Sequence, residues 1–322
     1  MALHLKSCFK SELEKYYQLR IAAGVKPVSL DRYMNYFDAF ILSRGVTAIT
    51  FTKEDISKWY AFRLTECESS RYIRIVWSIG FLRFLKAEGF NVCIPRYPRY
   101  CGTNSKAYIY NEQEIEKYFE FIDSYVNYQD PMSSLYIPVI FRILYTCGTR
   151  IGETLSLKVK DVDLENGILY PCETKNQKKR AVPVSDSMHS LLKQYASKCL
   201  YLKTPDDYFF AHADRRKINQ QSIYWCHRKA LKYAGIKYIG GTDGPRLHDW
   251  RHTMAVSSLT SFEKNGADLT NVLPIMQRYL GHSNISATEK YLRLVPQHYN
   301  DVLDKMHGLD DDLSGGCAHE NE

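Results

Sequence analysis

The stretch Asn91–Lys106 (NVCIPRYPRYCGTNSK) constrains the fold more than any other part of the sequence. Pro95 and Pro98 stop helices, and Gly102-Thr103-Asn104-Ser105 is turn-forming, so no regular element is expected to run through it. The chain therefore divides in two, as its 322 residues also suggest, since single cores seldom grow beyond roughly 250–300 residues. The expected organisation is a helical domain over 1–90, a linker over 91–106 and a second domain over 107–308. An acidic tail over 309–322 is expected to be disordered.

The first domain reads as a small helical bundle. Leu30, Tyr33, Met34, Phe37, Phe40 and Ile41 follow helical spacing, and Gly45 supplies a stop. Thr52 caps a helix whose Glu54 and Asp55 suit the positive end of the helix dipole. Ser69 or Ser70 starts a further helix running to Gly89, and an opening helix occupies about Leu5–Ala22. The second domain is also mostly helical, with Asn111 capping a helix that opens with Glu112 and Glu114. One β-hairpin interrupts it: Gly167–Glu173 and Arg180–Ser185 are short β-like runs around the polar turn Thr174–Lys179. The fold class is mainly α with a small β-sheet.

The net charge of +7 is unevenly spread. Residues 1–105 carry +7 and the tail after Gly308 carries −5, leaving +5 for 106–308. Two basic domains fit a polyanionic partner, with phosphates the obvious candidate. Arg71 and Arg74 on the helix after Ser70, and Arg96 and Arg99 in the linker, are candidate phosphate contacts. The nine cysteines show no CxxC pair and no zinc-ligand spacing, which predicts reduced thiols and no metal site. No apolar run approaches a membrane span and no secretory hydrophobic region opens the chain, so a cytoplasmic location is expected.

Four separated segments carry the candidate chemistry. In Thr146-Cys-Gly-Thr-Arg150-Ile-Gly-Glu153, Gly148 permits a sharp turn that presents Arg150 at the start of a helix, with Glu153 nearby. The hairpin tip, Lys175-Asn-Gln-Lys178-Lys179-Arg180, clusters cations on a loop. In Arg246-Leu-His248-Asp-Trp-Arg251-His252-Thr253, a helix would put His248 and Arg251 on one face, where both meet a single phosphate. His252 and Trp250 are expected to point into packing. In Leu280-Gly281-His282 through Tyr291, Gly281 closes one helix and Ile285–Tyr291 begins another. Pro274, upstream, should kink or begin the helix leading to Gly281.

Taken together, these segments resemble the tyrosine recombinase/integrase family in order and spacing. The shared pattern is Arg150 with Glu153 three residues later, a lysine on a β-hairpin, His248-x-x-Arg251, and Leu280-Gly281-His282 with Tyr291 nine residues beyond the histidine. The resemblance covers roughly 106–307, and the first domain looks like the family's core-binding domain. With the first helix starting almost at once, no additional arm-binding domain is expected. Trp250 stands where the family commonly has Leu, a change of packing.

The resemblance implies a covalent 3′-phosphotyrosine on Tyr291 during cleavage and rejoining of double-stranded DNA. It implies Arg150, Arg251 and His282 as the clamp on the non-bridging oxygens and His248 as the base. It implies Lys175 as the general acid for the departing 5′-oxygen, with Lys178 and Lys179 as competing choices. Glu153 would hold Arg150 in place. No cofactor is implied, since the ester conserves the bond energy.

The resemblance also implies a homo-tetramer on DNA, with the amphipathic segment 296–307 docking on a neighbouring protomer or folding back on its own domain. The Tyr-Leu-Arg-Leu sequence at Tyr291–Leu294 and the missing arm-binding domain favour a mobile-element recombinase, for integration or transposition. A type IB topoisomerase-like enzyme, which relaxes supercoils as a monomer, and a DNA-binding protein without catalysis are the alternatives.

Overall fold

A computed structural model describes residues 3–25, 27–64, 66–99, 107–172, 179–239, 244–282, 284 and 286–292. The chain forms two compact units, 1–104 and 105–322.

The first unit contains helices α1 (Lys10–Ala22), α2 (Pro27–Arg44), α3 (Lys53–Tyr60) and α4 (Glu68–Ala87). Its core is aromatic. Phe37 meets Phe9 at 5.7 Å, Phe51 at 5.5 Å, and Trp59 and Phe81 at 5.4 Å each, ring centre to ring centre. Thr52 caps α3 in a reciprocal box with Asp55, as its sequence predicts. The opening helix starts at Lys10 and not at Leu5. The amides of Lys6 and Ser7 donate to the buried Asp38 carboxylate at 2.9 Å each, which holds that segment out of helical conformation. Similarly α4 starts at Glu68, with Cys67 as its N-cap, and Ser69 and Ser70 lie within its first turn.

Arg74, a candidate phosphate contact in the sequence, is 1% exposed. Its Nε and Nη2 donate to the two Glu66 oxygens at 2.7 and 2.5 Å. It also donates to the main-chain oxygens of Trp59 and Ala61, and its guanidinium lies over the Trp59 ring. It is a structural arginine: with its donors spent on the loop between α3 and α4, it has no open face for DNA. Arg71 is partly buried and donates to the Tyr60 carbonyl at 2.7 Å and to Glu68 at 3.2 Å. Arg96 and Arg99 are exposed.

The second unit contains α5 (Glu112–Asp123), α6 (Ser133–Thr146), a short α7 (Ile151–Thr154) and a 3₁₀ turn at Val159–Asp161. Three short antiparallel strands follow, β1 (Val162–Asp163), β2 (Ile168–Leu169) and β3 (Val182–Pro183), paired in that order. Leu169 sits opposite both Val162 and Val182, and a further bridge joins Cys172 to Lys179. The hairpin is where the sequence predicts it, but β1 was not foreseen. Asp163 lies in β1 while its carboxylate accepts from the amides of Glu165 and Asn166 in the following turn.

Helices α8 (Asp186–Cys199), α9 (Gln220–Tyr233), α10 (Asp249–Lys264), α11 (Leu269–Leu280) and α12 (Ser286–Glu289) complete this unit. The protein is mainly α with a small antiparallel sheet.

Trp250 anchors the larger core of this unit. Fully buried on α10, it stacks on Tyr110 at 4.0 Å with the rings nearly parallel, and Tyr118, Phe119 and Tyr145 surround it. A smaller cluster between α10 and α11 contains Met254, Leu259, Leu273, Leu280 and Tyr291. Pro274 lies inside α11, which begins earlier, at Leu269, behind an Asp268 cap. Among the described residues no helix is long and apolar enough to cross a membrane. The segment 296–307 and the acidic tail lie outside the described residues.

Breaking a buried ion pair from one side leaves an uncompensated charge. Arg74→Ala should therefore lower the unfolding free energy by about 3 kcal/mol, read as a reduced urea midpoint at unchanged slope. A midpoint within error of wild type would show that the pair is not structural.

Candidate active site

The site is built where three helix ends meet. Cys147 ends α6, and Gly148 then turns the chain with φ +58°, a conformation that favours glycine. A Cβ at Gly148 would also lie 3.2 Å from Leu280 Cδ2 and closer still to the Met254 methyl. This turn delivers Arg150 to the N-cap of α7, as the sequence predicts. Gly281, with φ +70°, closes α11 in the left-handed conformation and leads directly to His282. The start of α10 supplies His248, Arg251 and His252.

Arg251 joins these ends. It is 1% exposed, and its Nη1 and Nη2 donate to the carbonyls of Gly148 at 2.7 Å and Leu280 at 2.5 Å. Burial, followed by the charge of Arg150, lowers its pKa to about 10, so it remains a cation near neutral pH.

Glu153, buried beside it, receives the Arg150 amide at 3.0 Å, Arg150 Nη1 at 2.7 Å and Arg180 Nη2 at 2.8 Å. Burial pushes this carboxyl up, but the two arginines outweigh it and hold it below the usual carboxylate range. Arg180 also donates from Nε to the Tyr279 carbonyl at 2.9 Å, tying the hairpin to the last turn of α11.

Tyr291 is 3% exposed within the smaller core cluster. Its ring packs against His252 at 5.4 Å and, nearly parallel, against His282 at 6.0 Å. Burial raises its pKa above the ordinary phenol value, against the pull of Arg251 and Arg150. His282 Nδ1 pairs with Thr288 Oγ1 at 2.8 Å, which fixes the ring. Burial and then Arg251 and Arg150 lower His282 to about 4.

His248 forms the N-cap of α10 and meets His252 edge to face at 4.8 Å. Surrounding protein, then His252, Arg251, Arg150 and Arg246, push it down to about 3. Because the residue is exposed, the neighbouring cations are the firmer cause.

Five of the sequence-predicted residues thus gather: Arg150, His248, Arg251, His282 and Tyr291, with Glu153 beneath them. Lys175 and Lys178 lie outside the described residues. Lys179 pairs with Asp161 at 2.6 Å, beside the hairpin. Two further side chains lie with them. Arg180 was read only as one more hairpin cation. His252, expected in packing, packs between His248 and Tyr291. The signal was available, since His248 and His252 are four residues apart and share a helical face.

Arg150, Arg180 and Arg251 and the imidazoles of His248, His252 and His282 gather at this end of the unit, with Glu153 as the carboxylate that pairs with Arg150 and Arg180. The imbalance suits a tetrahedral anion. Among the described residues, no group of three or more His, Cys, Asp or Glu is placed to hold a metal ion.

Residues 110–298 match the model of the phage integrase family. The chain is 25% identical over 312 residues to the tyrosine recombinase XerA of Pyrococcus furiosus, covering 95% of this chain and 98% of that one. It is 28% identical over 290 residues to XerD of Listeria monocytogenes, covering 86% and 90%. The fold resembles that of a lambda integrase dimer bound to a COC′ core site, with a TM-score of 0.62, 20% identity, and coverage of 88% of this chain and 94% of that one. It also resembles XerH bound to a palindromic difH substrate, with a TM-score of 0.63, 20% identity, and coverage of 91% and 83%.

The lowered histidines set the pH response. His248, His282 and the buried His227, lowered to about 3, 4 and 4, are neutral in the fold but protonate near 6.5 when unfolded. Below about pH 6.5 the unfolded chain binds more protons, so stability falls as pH drops toward 4. The urea midpoint should be lower at pH 5 than at pH 7.5, and His282→Asn should flatten the difference. A midpoint equal or higher at pH 5 would contradict this.

Proposed function

The chain belongs to the phage integrase family and by that membership is a tyrosine-type site-specific DNA recombinase, for which we propose Tyr291 as the nucleophile. The observation that carries this assignment is the convergence of Arg150, Arg251 and His282 around one buried tyrosine. In the proposed step the Tyr291 oxygen attacks the scissile phosphorus. The Oη–P bond forms, the P–O5′ bond breaks, and a 3′-phosphotyrosine and a free 5′-hydroxyl result. Rejoining is the reverse attack by a 5′-hydroxyl. The ester conserves the energy of the broken bond, so neither a nucleotide nor a metal is required.

Attack builds negative charge on the non-bridging oxygens. Arg150 and Arg251 neutralise it with planar forks of donors, and His282 adds a hydrogen bond. Arg251 reaches the phosphate with the N–H groups it does not spend on Gly148 and Leu280. Glu153 keeps Arg150 from swinging to solvent. His248, beside Arg251 at the rim, faces the same phosphate and is the base that the family resemblance names. Lys175 is the proposed acid for the 5′-oxygen, with Lys178 and Lys179 as the other hairpin choices.

Double-stranded DNA is the partner, and the recombinase acts as a multimer. We further propose a tetramer assembled through the segment 296–307 and a division into a core-binding domain (1–90), linker (91–106) and catalytic domain (107–308). Arg96 and Arg99 are the proposed linker contacts to phosphate. A cytoplasmic, nucleoid-associated enzyme of a mobile element, acting in integration or transposition, completes the reading. Relaxation without strand exchange gains no support from the relatives, which are recombinases by name.

The test uses a pool of nicked suicide duplexes of randomised sequence, incubated with the protein in EDTA. Wild type should form a covalent adduct on denaturing gels, and Tyr291→Phe should form none. Arg150→Ala should slow adduct formation by about two to three orders of magnitude. No wild-type adduct, or an undiminished one with Tyr291→Phe, would end the assignment.

A further inference from the structure

Arg180, just before β3, is not among the residues that the family resemblance names, yet two of its nitrogens end on groups that fix the site. Its side chain is 10% exposed. Nη2 donates to Glu153 Oε2 at 2.8 Å, and Nε donates to the Tyr279 carbonyl at 2.9 Å. The remaining nitrogen, Nη1, is shut off from solvent and has no hydrogen-bond partner among the described residues. Replacing a buried ion pair by apolar side chains of similar volume is often neutral or stabilising, and a stranded donor adds a cost. Stability alone therefore does not account for a guanidinium at this position.

The two groups it joins lead to the two arginines of the proposed phosphate clamp. Glu153 Oε1 receives Arg150 Nη1 at 2.7 Å, while Oε2 receives the Arg150 amide at 3.0 Å as well as Arg180. Tyr279 is followed by Leu280, whose carbonyl receives Arg251 Nη2 at 2.5 Å. Arg180 and Arg251 thus hold consecutive carbonyls at the C-terminal end of α11, where the negative pole of the helix dipole favours cations. Arg251 also holds the Gly148 carbonyl, which places the backbone leading to Arg150. The Arg150 side chain is 42% exposed and has room to swing, so the carboxylate beneath it, and what holds that carboxylate, bear on its direction.

We propose that Arg180 is a positioning residue that sets the Arg150 guanidinium against that of Arg251, by tying Glu153 to the carbonyl next to the one that Arg251 holds. This rests on Arg150 and Arg251 being the clamp on the scissile phosphate. The backbone of Arg150 is placed through Gly148 and Arg251, and its side chain through Glu153 and Arg180; both routes end on the last turn of α11. Two planar forks act together only when both are aimed at the same phosphate, and a common anchor keeps their spacing. Charge follows the same route. Glu153 is faced by Arg150 and Arg180 and interacts with the charge of Arg251. Against burial, Arg180 supplies the largest pull that keeps this carboxyl ionised, ahead of Arg150. Without Arg180, Glu153 takes up a proton at higher pH, and a neutral carboxyl holds Arg150 less firmly.

The experiment measures single-turnover cleavage of a duplex selected in the adduct assay, as a function of pH, with DNA affinity measured separately. Arg180→Met keeps much of the stem and removes the charge. It should slow cleavage by about two orders of magnitude at neutral pH while leaving affinity within about twofold. The acid limb of its pH–rate profile should lie at higher pH than that of wild type, because Glu153 protonates sooner as pH falls.

In an Arg150→Ala background the same substitution should cost no more than about twofold, because its effect passes through a guanidinium already lost. Three results would each overturn the proposal: a wild-type rate for Arg180→Met, even with a lowered urea midpoint; an unmoved acid limb; or the full loss repeated in the Arg150→Ala background. If Arg180→Met does not fold, Arg180→Lys is read in the same cycle with Arg150→Ala, since it keeps the charge but lacks the fork that spans Glu153 and the Tyr279 carbonyl. Arg150→Ala that cleaves at the wild-type rate would instead defeat the clamp assignment, so the two failures are distinguishable.

Discussion

One buried guanidinium organises the catalytic unit. Arg251 donates to the last carbonyl of α11 and to the carbonyl of the turn after α6, and its own backbone lies in the first turn of α10. Each partner sits two residues before a residue of the site. Leu280 precedes Gly281-His282, and Gly148 precedes Thr149-Arg150. A carbonyl at the C-terminal end of a helix carries the negative pole of the dipole, so a cation is the fitting partner there. Arg251 cannot move without moving both His282 and Arg150. The residue proposed to meet the phosphate is thus also the residue that ties the others together.

A second tie, through Glu153, explains why a carboxylate belongs in a site meant for an anion. Three arginines gathered without compensation would repel one another, and an arginine with no partner would turn to solvent. Glu153 receives Arg150 and Arg180 and remains ionised despite its burial. It lies beneath the arginines, where it lowers their mutual repulsion and leaves the open side positive. Arg180 extends the same tie to the hairpin. The loop bearing the candidate acid lysines is thereby anchored to the carboxylate that holds Arg150 and to the end of α11.

Residues whose partners are local in the chain were legible in the sequence. Thr52 with Asp55, Asn111 with Glu114, and the two glycine turns at 148 and 281 all act within a few residues, and all are found as predicted. What escaped depends on distant partners. Arg74 looked like part of a basic helical face until Glu66 and the α3–α4 loop closed over it. The opening helix is expected from about Leu5, but the segment before Lys10 is held by Asp38 from another helix. Strand β1 has two residues, too few for an alternation to show.

The burial of Tyr291 shows how stability and reactivity are reconciled in one side chain. A phenol set among Met254, Leu259 and Leu280 contributes to the core, and burial raises its pKa, so it is a poor nucleophile as it stands. The cations around it oppose that shift but are equally held back, since crowding and burial lower the histidines into the acid range. A phosphate entering this cluster changes both terms at once. Its charge relieves the repulsion among Arg150, Arg180 and Arg251, and it raises the proton affinity of the neighbouring imidazoles. On the proposed assignment of Tyr291, the electrostatics that keep the phenol protonated in the core are the ones that an entering phosphate would change.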